Sequence, residues 1–342
     1  MSYMRSDFPK GLGPKRLPKR ILRAAIALVA FGFLVAVVRS QWSLLKDYQW
    51  QLSPAWALLA LLGLELTWLF ELDTWRTILR SLGGPLPFWR AARIWFLSNL
   101  LRYIPGNIWQ FLGMAEMSAD DGIPRLVTLT SIVLHQAIST MAGLVLAAVY
   151  YGIVGYAPSP VGGETEWSGI GSLWIARMRL LLLLVPLTLL LLQPRLLERI
   201  LNWALAKVGR PPVKVTLTWG QIWVLLLRYL IVWLAMGLSF AAMTRALAPT
   251  KWPQAVPSLV AAWTAAYVIG YLSLLTPSGL GVREGVMTVL LLPLFPLSVA
   301  AVVAIAARLW MVVGELVGAG GVLIVGWLQR LARSRQSLDS RA

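Results

Sequence analysis

Long apolar runs, separated by short polar and basic stretches, dominate the hydropathy pattern of the chain. A helix needs about 20 apolar residues to cross the hydrocarbon core of a bilayer. Six runs come near that length and are predicted to be complete transmembrane helices, at about 21–38, 54–72, 126–151, 173–193, 217–245 and 298–327. The pattern therefore predicts a chain that crosses a membrane several times.

A further apolar region, 88–117, is interrupted by residues that end helices. The break lies at 102–106, where Arg102 is followed by Pro105 and Gly106. Proline removes an amide donor and restricts the residue before it, and glycine ends helices at little cost. Because neither piece is long enough to cross a membrane well, we predict a re-entrant pair of short helices.

The apolar region 257–293 is interrupted in the same way. Its break, at 276–281, contains Pro277, Gly279 and Gly281. The two breaks occupy corresponding places in the two halves of the chain, which predicts an inverted repeat with a transport site at the breaks. The alternative is a pair of proline-kinked helices with no cavity between them.

The positions of the basic residues predict the orientation. Most of the 31 Lys and Arg residues fall in five segments, at 1–23, 73–93, 118–125, 194–214 and 330–341. The positive-inside rule places these segments and both termini in the cytoplasm. A net charge of +17 on a soluble chain would suggest nucleic acid, but these positions fit the membrane rule, so no nucleic-acid partner is predicted.

Composition supports the same class of protein. Apolar residues make up 58% of the chain and charged residues only 13%, too few to cover a soluble fold. We predict an all-α polytopic membrane protein with about six full transmembrane helices, two re-entrant pairs and an inverted repeat. A basic cytoplasmic tail, 1–20, precedes one transmembrane domain, 21–330, with approximate halves 21–193 and 194–330, and a basic cytoplasmic tail, 331–342, follows it.

Charged groups at membrane depth cost about 2.5–3.5 kcal/mol each on the insertion scale, so each is a functional candidate. The candidates for a lipid phosphate or substrate path are Arg102, Pro105, Gly106, Pro277, Gly279, Gly281, Arg283, Glu284, Arg308 and Glu315. The other buried ionisable residues are predicted to be Glu65, Glu116, His135 and Arg228.

The spacing of these residues suggests roles for some of them. Arg308 and Glu315 lie about 10 Å apart along one helix face, so they are expected to point at one interior region without pairing with each other. Glu65 is expected to pair with Arg228 or Arg308. The single histidine, His135, is expected to bond a backbone carbonyl, with a proton relay as the alternative.

A guanidinium at Arg283 or Arg102 is suited to hold a phosphate group. For Arg283 and Glu284 the alternative is pairing with other buried charges that fixes the loop. For Arg102 the alternative is that its side chain reaches the membrane interface.

Residues 103–108 (Tyr-Ile-Pro-Gly-Asn-Ile) and 279–285 (Gly-Leu-Gly-Val-Arg-Glu-Gly) resemble the two signature stretches of the lysylphosphatidylglycerol synthase transmembrane-region family. The resemblance extends over roughly 20–330 and implies a flippase-like protein of a bacterial-type cell membrane. The short C-terminal tail leads us to expect a stand-alone member without the soluble aminoacyl-transferase domain. The chain departs from the family at His135-Gln136, where many members carry an acidic-basic pair.

Together these features predict a translocase of an anionic phospholipid or a polyprenyl-linked glycolipid that does not hydrolyse ATP. Its partners would be membrane lipids with phosphate headgroups, together with a lipid-modifying enzyme or glycosyltransferase. The first alternative is a non-transporting subunit that docks or regulates such an enzyme. The second is an intramembrane enzyme that uses Glu284 or Glu116. The sequence carries no catalytic or nucleotide-binding motif, so no enzyme, metal or cofactor is predicted.

Because the chain contains no cysteine, single engineered cysteines test the inverted arrangement directly. We expect a cysteine at Asn107 to react with a membrane-impermeant thiol reagent from the cytoplasm, and one at Leu280 from outside. Labelling is measured in intact cells and in inverted vesicles. Labelling of both positions from one side, or of neither, would contradict the prediction.

Overall fold

A computed structural model describes residue 39 and residues 52–103, 108–154, 180–207, 209, 211–214, 217–248, 254–272 and 281–339. The predicted first helix, 21–38, lies outside the described residues. So do four of the predicted site residues, Pro105, Gly106, Pro277 and Gly279.

Every regular element in the described part of the chain is helical. The α-helices there are α1 (Pro54–Ser81), α2 (Phe88–Asn99), α3 (Trp109–Asp120), α4 (Arg125–Val154), α5 (Leu184–Leu191), α6 (Pro194–Lys207), α7 (Trp219–Leu247), α8 (Val256–Leu272), α9 (Val282–Leu291) and α10 (Leu297–Asp339). A 3-10 turn, Leu100–Tyr103, extends α2, and another, Leu180–Leu183, precedes α5.

Four of these helices, α1, α4, α7 and α10, are long and apolar enough to cross a membrane. Their most apolar 18-residue windows have mean hydropathies between 1.6 and 2.1. The prediction of an all-α membrane protein is confirmed at this level. The helix predicted at 173–193 is described only from Leu180 onward, as a 3-10 turn followed by α5.

The first long helix continues beyond its predicted end at 72, as far as Ser81. The prediction stopped at the acidic residues that follow the apolar run. In the structure Asp73 pairs with Arg228 on α7 at 2.6 Å, so its charge does not end the helix. Trp75 beyond it is fully buried, and this packing carries α1 a further two turns.

The helices form two sets with the same order, a long helix, two short helices and a second long helix. The first set is α1 to α4, and the second is α7 to α10. Contacts between the sets correspond in pairs. Helices α1 and α7 pack on each other, α4 packs on the second short pair through α8, and α10 packs on the first short pair through α2.

The first helices of the two sets run in opposite directions. At the start of α1, the Ser53 amide donates to the carbonyl of Ala246 at the end of α7, at 3.0 Å. Near the other end, the Arg228 side chain on α7 donates to Thr74 on α1 at 3.1 Å. The start of α1 thus meets the end of α7, and the later part of α1 meets the earlier part of α7. The two helices are therefore antiparallel, so the sets that they begin start in opposite directions.

The first short pair reaches only partway along the long helices. Helix α2 begins near Arg76, whose guanidinium lies 5.5 Å from the Phe88 ring centroid. It proceeds to Phe96, whose ring packs edge-on against Trp68 at 6.3 Å. Because Trp68 lies at the middle of α1, the end of α2 and its 3-10 turn lie level with the middle of that long helix, which is called mid-depth below.

The second short pair enters from the opposite end. Helix α8 begins beside the end of α4, where the hydroxyls of Ser258 and Tyr150 are 2.6 Å apart. It then reaches the level of Gly143 on α4, where an added Cβ would stand 2.6 Å from the Val268 side chain. The inner ends of the two short pairs therefore approach one another at the middle of the molecule.

Glycines on the long helices permit the closest helix contacts. A Cβ on Gly314 would stand 2.5 Å from Leu64 on α1, and a Cβ on Gly318 would overlap the Phe96 ring on α2. On α7, a Cβ on Gly237 would lie 2.8 Å from the Cα of Val260 on α8. Small residues let helix backbones approach in this way, and here they pack α10 and α7 against the short pairs.

We expect Gly237→Ala to lower the stability of the protein, because the obstructing atom is backbone and cannot rotate away. Overpacking costs about 1–3 kcal/mol, which should exceed the helix-propensity gain of about 1 kcal/mol. The matched control is Gly321→Ala, where no atom lies within 4 Å of the added methyl group. Thermal unfolding in detergent should show a lower midpoint for Gly237→Ala and an unchanged or higher one for Gly321→Ala; equal midpoints would contradict the packing argument.

Candidate functional site

The two short pairs and the long helices enclose a cavity of about 350 Å³. Both sets of helices contribute to its lining, with aromatic side chains and a group of charged ones. The charged or ionisable residues that line it in the described part of the chain are Glu71, Arg102, Tyr103, His135, Tyr267, Tyr271, Arg283, Arg308 and Glu315. An apolar pocket with a few convergent polar groups is the usual form of a ligand site.

Arg102 reaches the cavity from the first short pair. The 3-10 turn that extends α2 brings it to mid-depth, where its Nη1 lies 2.9 Å from Oε1 of Glu315 on α10. The Glu315 side chain is 1% exposed, whereas that of Arg102 is 29% exposed. The guanidinium is therefore paired with a buried carboxylate, while part of the Arg102 side chain remains exposed at the cavity.

Glu284 organises the charges of the second short pair. Its Oε1 accepts from Nη1 of Arg308 at 2.6 Å and lies 3.4 Å from Nη2 of Arg283. Its Oε2 accepts from the backbone amide of Gly281 at 2.8 Å, which caps the start of α9. Gly281 has φ of 81°, in the left-handed region, so this turn requires glycine.

The Arg283 side chain is held against an aromatic ring. Its guanidinium carbon lies 4.3 Å from the centroid of Tyr267 on α8. A Cβ on Gly270 would stand 2.9 Å from the Cβ of Arg283, so a glycine is needed there for α9 to fold back on α8. This packing fixes the direction in which the guanidinium faces the cavity.

The prediction for Arg308 and Glu315 is confirmed. The two residues point at one interior region and bind different partners, Glu284 and Arg102. Each ion pair joins α10 to the inner end of one short pair. The structure thus brings together Arg102, Gly281, Arg283, Glu284, Arg308 and Glu315 from the predicted path.

The predicted pairing of Glu65 with Arg228 or Arg308 is wrong. Arg228 binds Asp73, and Arg308 binds Glu284. Glu65 faces α10 instead, close to Gly318, because its position on α1 turns it away from α7. Its Oε1 is buried and makes no hydrogen bond in the described structure.

Glu116, predicted to be buried, is not. It lies near the end of α3 with its side chain 62% exposed, where it pairs with Arg125 at 2.7 Å. The prediction treated every charge in an apolar run as internal, whereas the phase of α3 turns Glu116 outward. Arg228 is partly buried, with its side chain 23% exposed, and pairs with Asp73 between α1 and α7, outside the cavity lining.

His135 does not bond a backbone carbonyl as predicted. Its Nδ1 lies 2.6 Å from the hydroxyl of Tyr229 on α7, and its Nε2 lies 3.8 Å from Oε1 of Glu71 on α1. The carbonyls of α4 are used within the helix, so the ring takes side-chain partners from its neighbours. Gln136, the next residue, also lines the cavity.

Sequence reasoning missed Glu71 and the aromatic lining. Glu71 lies within the predicted helix 54–72 but was not named as a candidate, although it lies three residues after Trp68 and four before Trp75. Both tryptophans are buried. Positions three and four apart share a helix face, so a helix extended to Ser81 would have identified Glu71 as internal.

These features define an all-α integral membrane protein with a charged cavity between two oppositely directed helix sets. The sequence profile of the lysylphosphatidylglycerol synthase TM region matches residues 20–329. The match covers far more than half of the chain, so the protein belongs to this family. No curated protein sequence matches the chain at a significant level.

We expect the Arg102–Glu315 pair to be strongly coupled. Breaking a buried pair by removing one partner costs about 3–5 kcal/mol, because the other charge remains buried and uncompensated. Arg102→Met and Glu315→Met should each destabilise the protein by about that amount, and the double variant by clearly less than the sum. The measurement is reversible unfolding in detergent, analysed as a double-mutant cycle.

The exposed pair Arg90–Asp121, at 3.0 Å with the arginine side chain 62% exposed, is the control for this cycle. Its coupling energy should be below about 1 kcal/mol. Additive effects at Arg102 and Glu315 would show that the ion pair does not hold α10 to the first short pair.

Proposed function

We propose that this protein moves a lipid with a phosphate headgroup across a membrane without hydrolysing ATP. The substrate would be an anionic phospholipid or a polyprenyl-linked glycolipid. The observation that carries the proposal is the convergence of Arg102, Arg283 and Arg308, from both helix sets, on one mid-depth cavity. The proposal assigns no chemical reaction to the site.

We infer that the short pairs α2–α3 and α8–α9 are re-entrant and that the chain has about six full spans. The opposite directions of α1 and α7 and the entry of the short pairs from opposite ends support an inverted repeat. Non-helical backbone at membrane depth is tolerated where it lines a cavity, as the breaks after Tyr103 and Leu272 would. The proposed location is a bacterial-type plasma membrane with both termini in the cytoplasm.

A phosphate group would compete with carboxylates for the arginines. Arg102 lies 2.9 Å from Glu315 and Arg283 lies 3.4 Å from Glu284, so a phosphate at either arginine would replace or share that contact. Guanidinium groups bind phosphate oxygens bidentately. Exchange of the headgroup between Arg102 on the first pair and Arg283 on the second would carry it past the middle of the membrane.

Arg283→Ala should slow lipid movement about tenfold to a hundredfold, the effect of losing about 1.5–3 kcal/mol from a charged hydrogen bond. The assay uses purified protein in phosphatidylcholine vesicles with fluorescent phosphatidylglycerol or a fluorescent polyprenyl-phosphate sugar. Movement is read from the fraction of probe that a membrane-impermeant reductant can reach. Arg125→Ala is the control, because this exposed arginine pairs with Glu116 away from the cavity.

Three results would contradict the proposal. Movement of neither probe by the wild type would favour a subunit that docks a lipid-modifying enzyme. Movement at the wild-type rate by the double variant Arg102→Ala, Arg283→Ala would exclude these arginines as the phosphate site. Finally, release of a modified headgroup during the assay would favour an enzyme.

A further inference from the structure

We propose that Glu71 and His135 form a proton-binding site that links the movement of each monoanionic lipid to the movement of one proton. This inference rests on the proposed function and adds the ion that drives it. It is carried by the cavity geometry around Glu71, which among the described residues makes no ion pair with an arginine or lysine and faces His135 instead.

Glu71 differs from Glu284 and Glu315, the two other carboxylates described at the site. Glu284 and Glu315 each lie within 3 Å of an arginine nitrogen, at 2.6 Å and 2.9 Å. Among the described residues, the one basic group within 4 Å of Glu71 is His135, with its Nε2 at 3.8 Å. The Glu71 side chain lines the cavity and is 15% exposed, so water in the cavity can deliver a proton to it.

The histidine between Glu71 and Tyr229 supports two arrangements of protons. When Glu71 is ionised, Nε2–H of His135 faces the carboxylate and the Tyr229 hydroxyl donates to Nδ1. When Glu71 takes a proton from cavity water, His135 releases its Nε2 proton to that water and takes one back at Nδ1. The Glu71 O–H then faces an unprotonated Nε2, Nδ1–H donates to Tyr229, and the site has gained one proton in all. The 2.6 Å contact between Nδ1 and the hydroxyl fits both arrangements, so the site can hold or release one proton without moving its backbone.

The charged and titratable groups that surround Glu71 come from each neighbouring helix. Those groups are Glu65 and Asp73 on α1 itself, Arg102 in the turn after α2, His135 on α4, Arg228 and Tyr229 on α7, and Glu315 on α10. Asp73 and Arg228 bind each other, and Glu65 lies outside the cavity lining. Arg102 is therefore the positive charge that balances Glu71 across the cavity.

This arrangement makes lipid binding and proton binding favour each other. A phosphate that binds Arg102 brings a negative charge near Glu71. It also offsets part of the positive charge of Arg102, which had stabilised the ionised form of Glu71. Like charges in a poorly solvated site disfavour ionisation, so the carboxyl gains a proton as the phosphate arrives. By linkage, a protonated Glu71 binds the anionic headgroup more tightly by the same factor.

A charge count of the cavity gives the stoichiometry. The cluster of Arg102, Arg283, Arg308, Glu284, Glu315 and Glu71 has three positive and three negative groups when all are ionised. One protonation leaves an excess of one positive charge, which a phosphodiester neutralises. The loaded site, with one proton and one monoanionic lipid, is as neutral as the empty one, so it crosses the membrane without moving net charge.

Electroneutral coupling has a distinct signature. A difference of one pH unit should drive the lipid to an asymmetry of up to about tenfold, toward the leaflet that faces the higher pH. An imposed membrane potential alone should have no effect on the distribution. If the anion moved without a proton, its distribution would change with the membrane potential and would not change with the pH difference.

The experiment uses full-length protein in phosphatidylcholine vesicles with whichever monoanionic probe the wild type moves, phosphatidylglycerol or the polyprenyl-phosphate sugar. One set of vesicles carries a difference of one pH unit, and another carries a potassium diffusion potential set with valinomycin. Glu71→Gln mimics the protonated carboxyl permanently, so this variant should move lipid with no pH-driven asymmetry and should respond to the potential. Glu116→Gln is the matched control, because this exposed carboxylate lies outside the cavity and should behave as the wild type does.

The outcomes separate this inference from the proposed function. No movement by the wild type overturns both. Movement by the wild type without a pH-driven asymmetry overturns the proton coupling and leaves the translocase intact, whether or not the variant folds. Retained coupling in Glu71→Gln, or loss of coupling in Glu65→Gln alone, overturns the assignment to Glu71. A Glu71→Gln variant that folds but moves no lipid also overturns the assignment to Glu71.

Discussion

The arrangement of the molecule depends on pairing charges that cannot remain alone in a poorly solvated interior. Arg102 with Glu315 and Arg308 with Glu284 join the inner ends of both short helix pairs to the same long helix, α10. An unpaired guanidinium there would cost several kcal/mol, whereas a paired one fixes the position of its helix. The two ion pairs thus hold the inner ends of α2 and α9 beside α10, where these ends line or border the cavity.

Packing and electrostatics act on the same elements. Glycines at 237 and 318 let the long helices approach the short pairs closely, and Gly314 lets α10 approach α1, so that the side chains can meet. Aromatic rings such as Trp263 and Tyr267 fill the space around the charged groups and keep it narrow. The result is a cavity whose walls are largely apolar but whose charged groups come from both helix sets, which is suited to a headgroup that passes from one set to the other.

Much of this was accessible from the sequence, and the exceptions share a cause. The breaks near 102–106 and 276–281 were predicted from proline and glycine, but residues 104–107 and 273–280 lie outside the described part of the chain, so these breaks stay predictions. The convergence of Arg308 and Glu315 on one region followed from their spacing on a helix. The partners of Glu65 and His135 were wrong, because pairing depends on which helix lies opposite. Glu116 was wrongly placed inside for the same reason.

The sequence by itself determined the class of protein and the approximate positions of the long helices α1, α4, α7 and α10. Those features depend on local chemistry, because an apolar run of sufficient length forms a membrane-length helix wherever it occurs. Only the tertiary structure decided that Glu71 faces the cavity beside His135, that Asp73 takes Arg228 and that Arg102 meets Glu315. Such contacts join residues far apart in the chain, so they depend on helix rotation and depth, which no local pattern specifies.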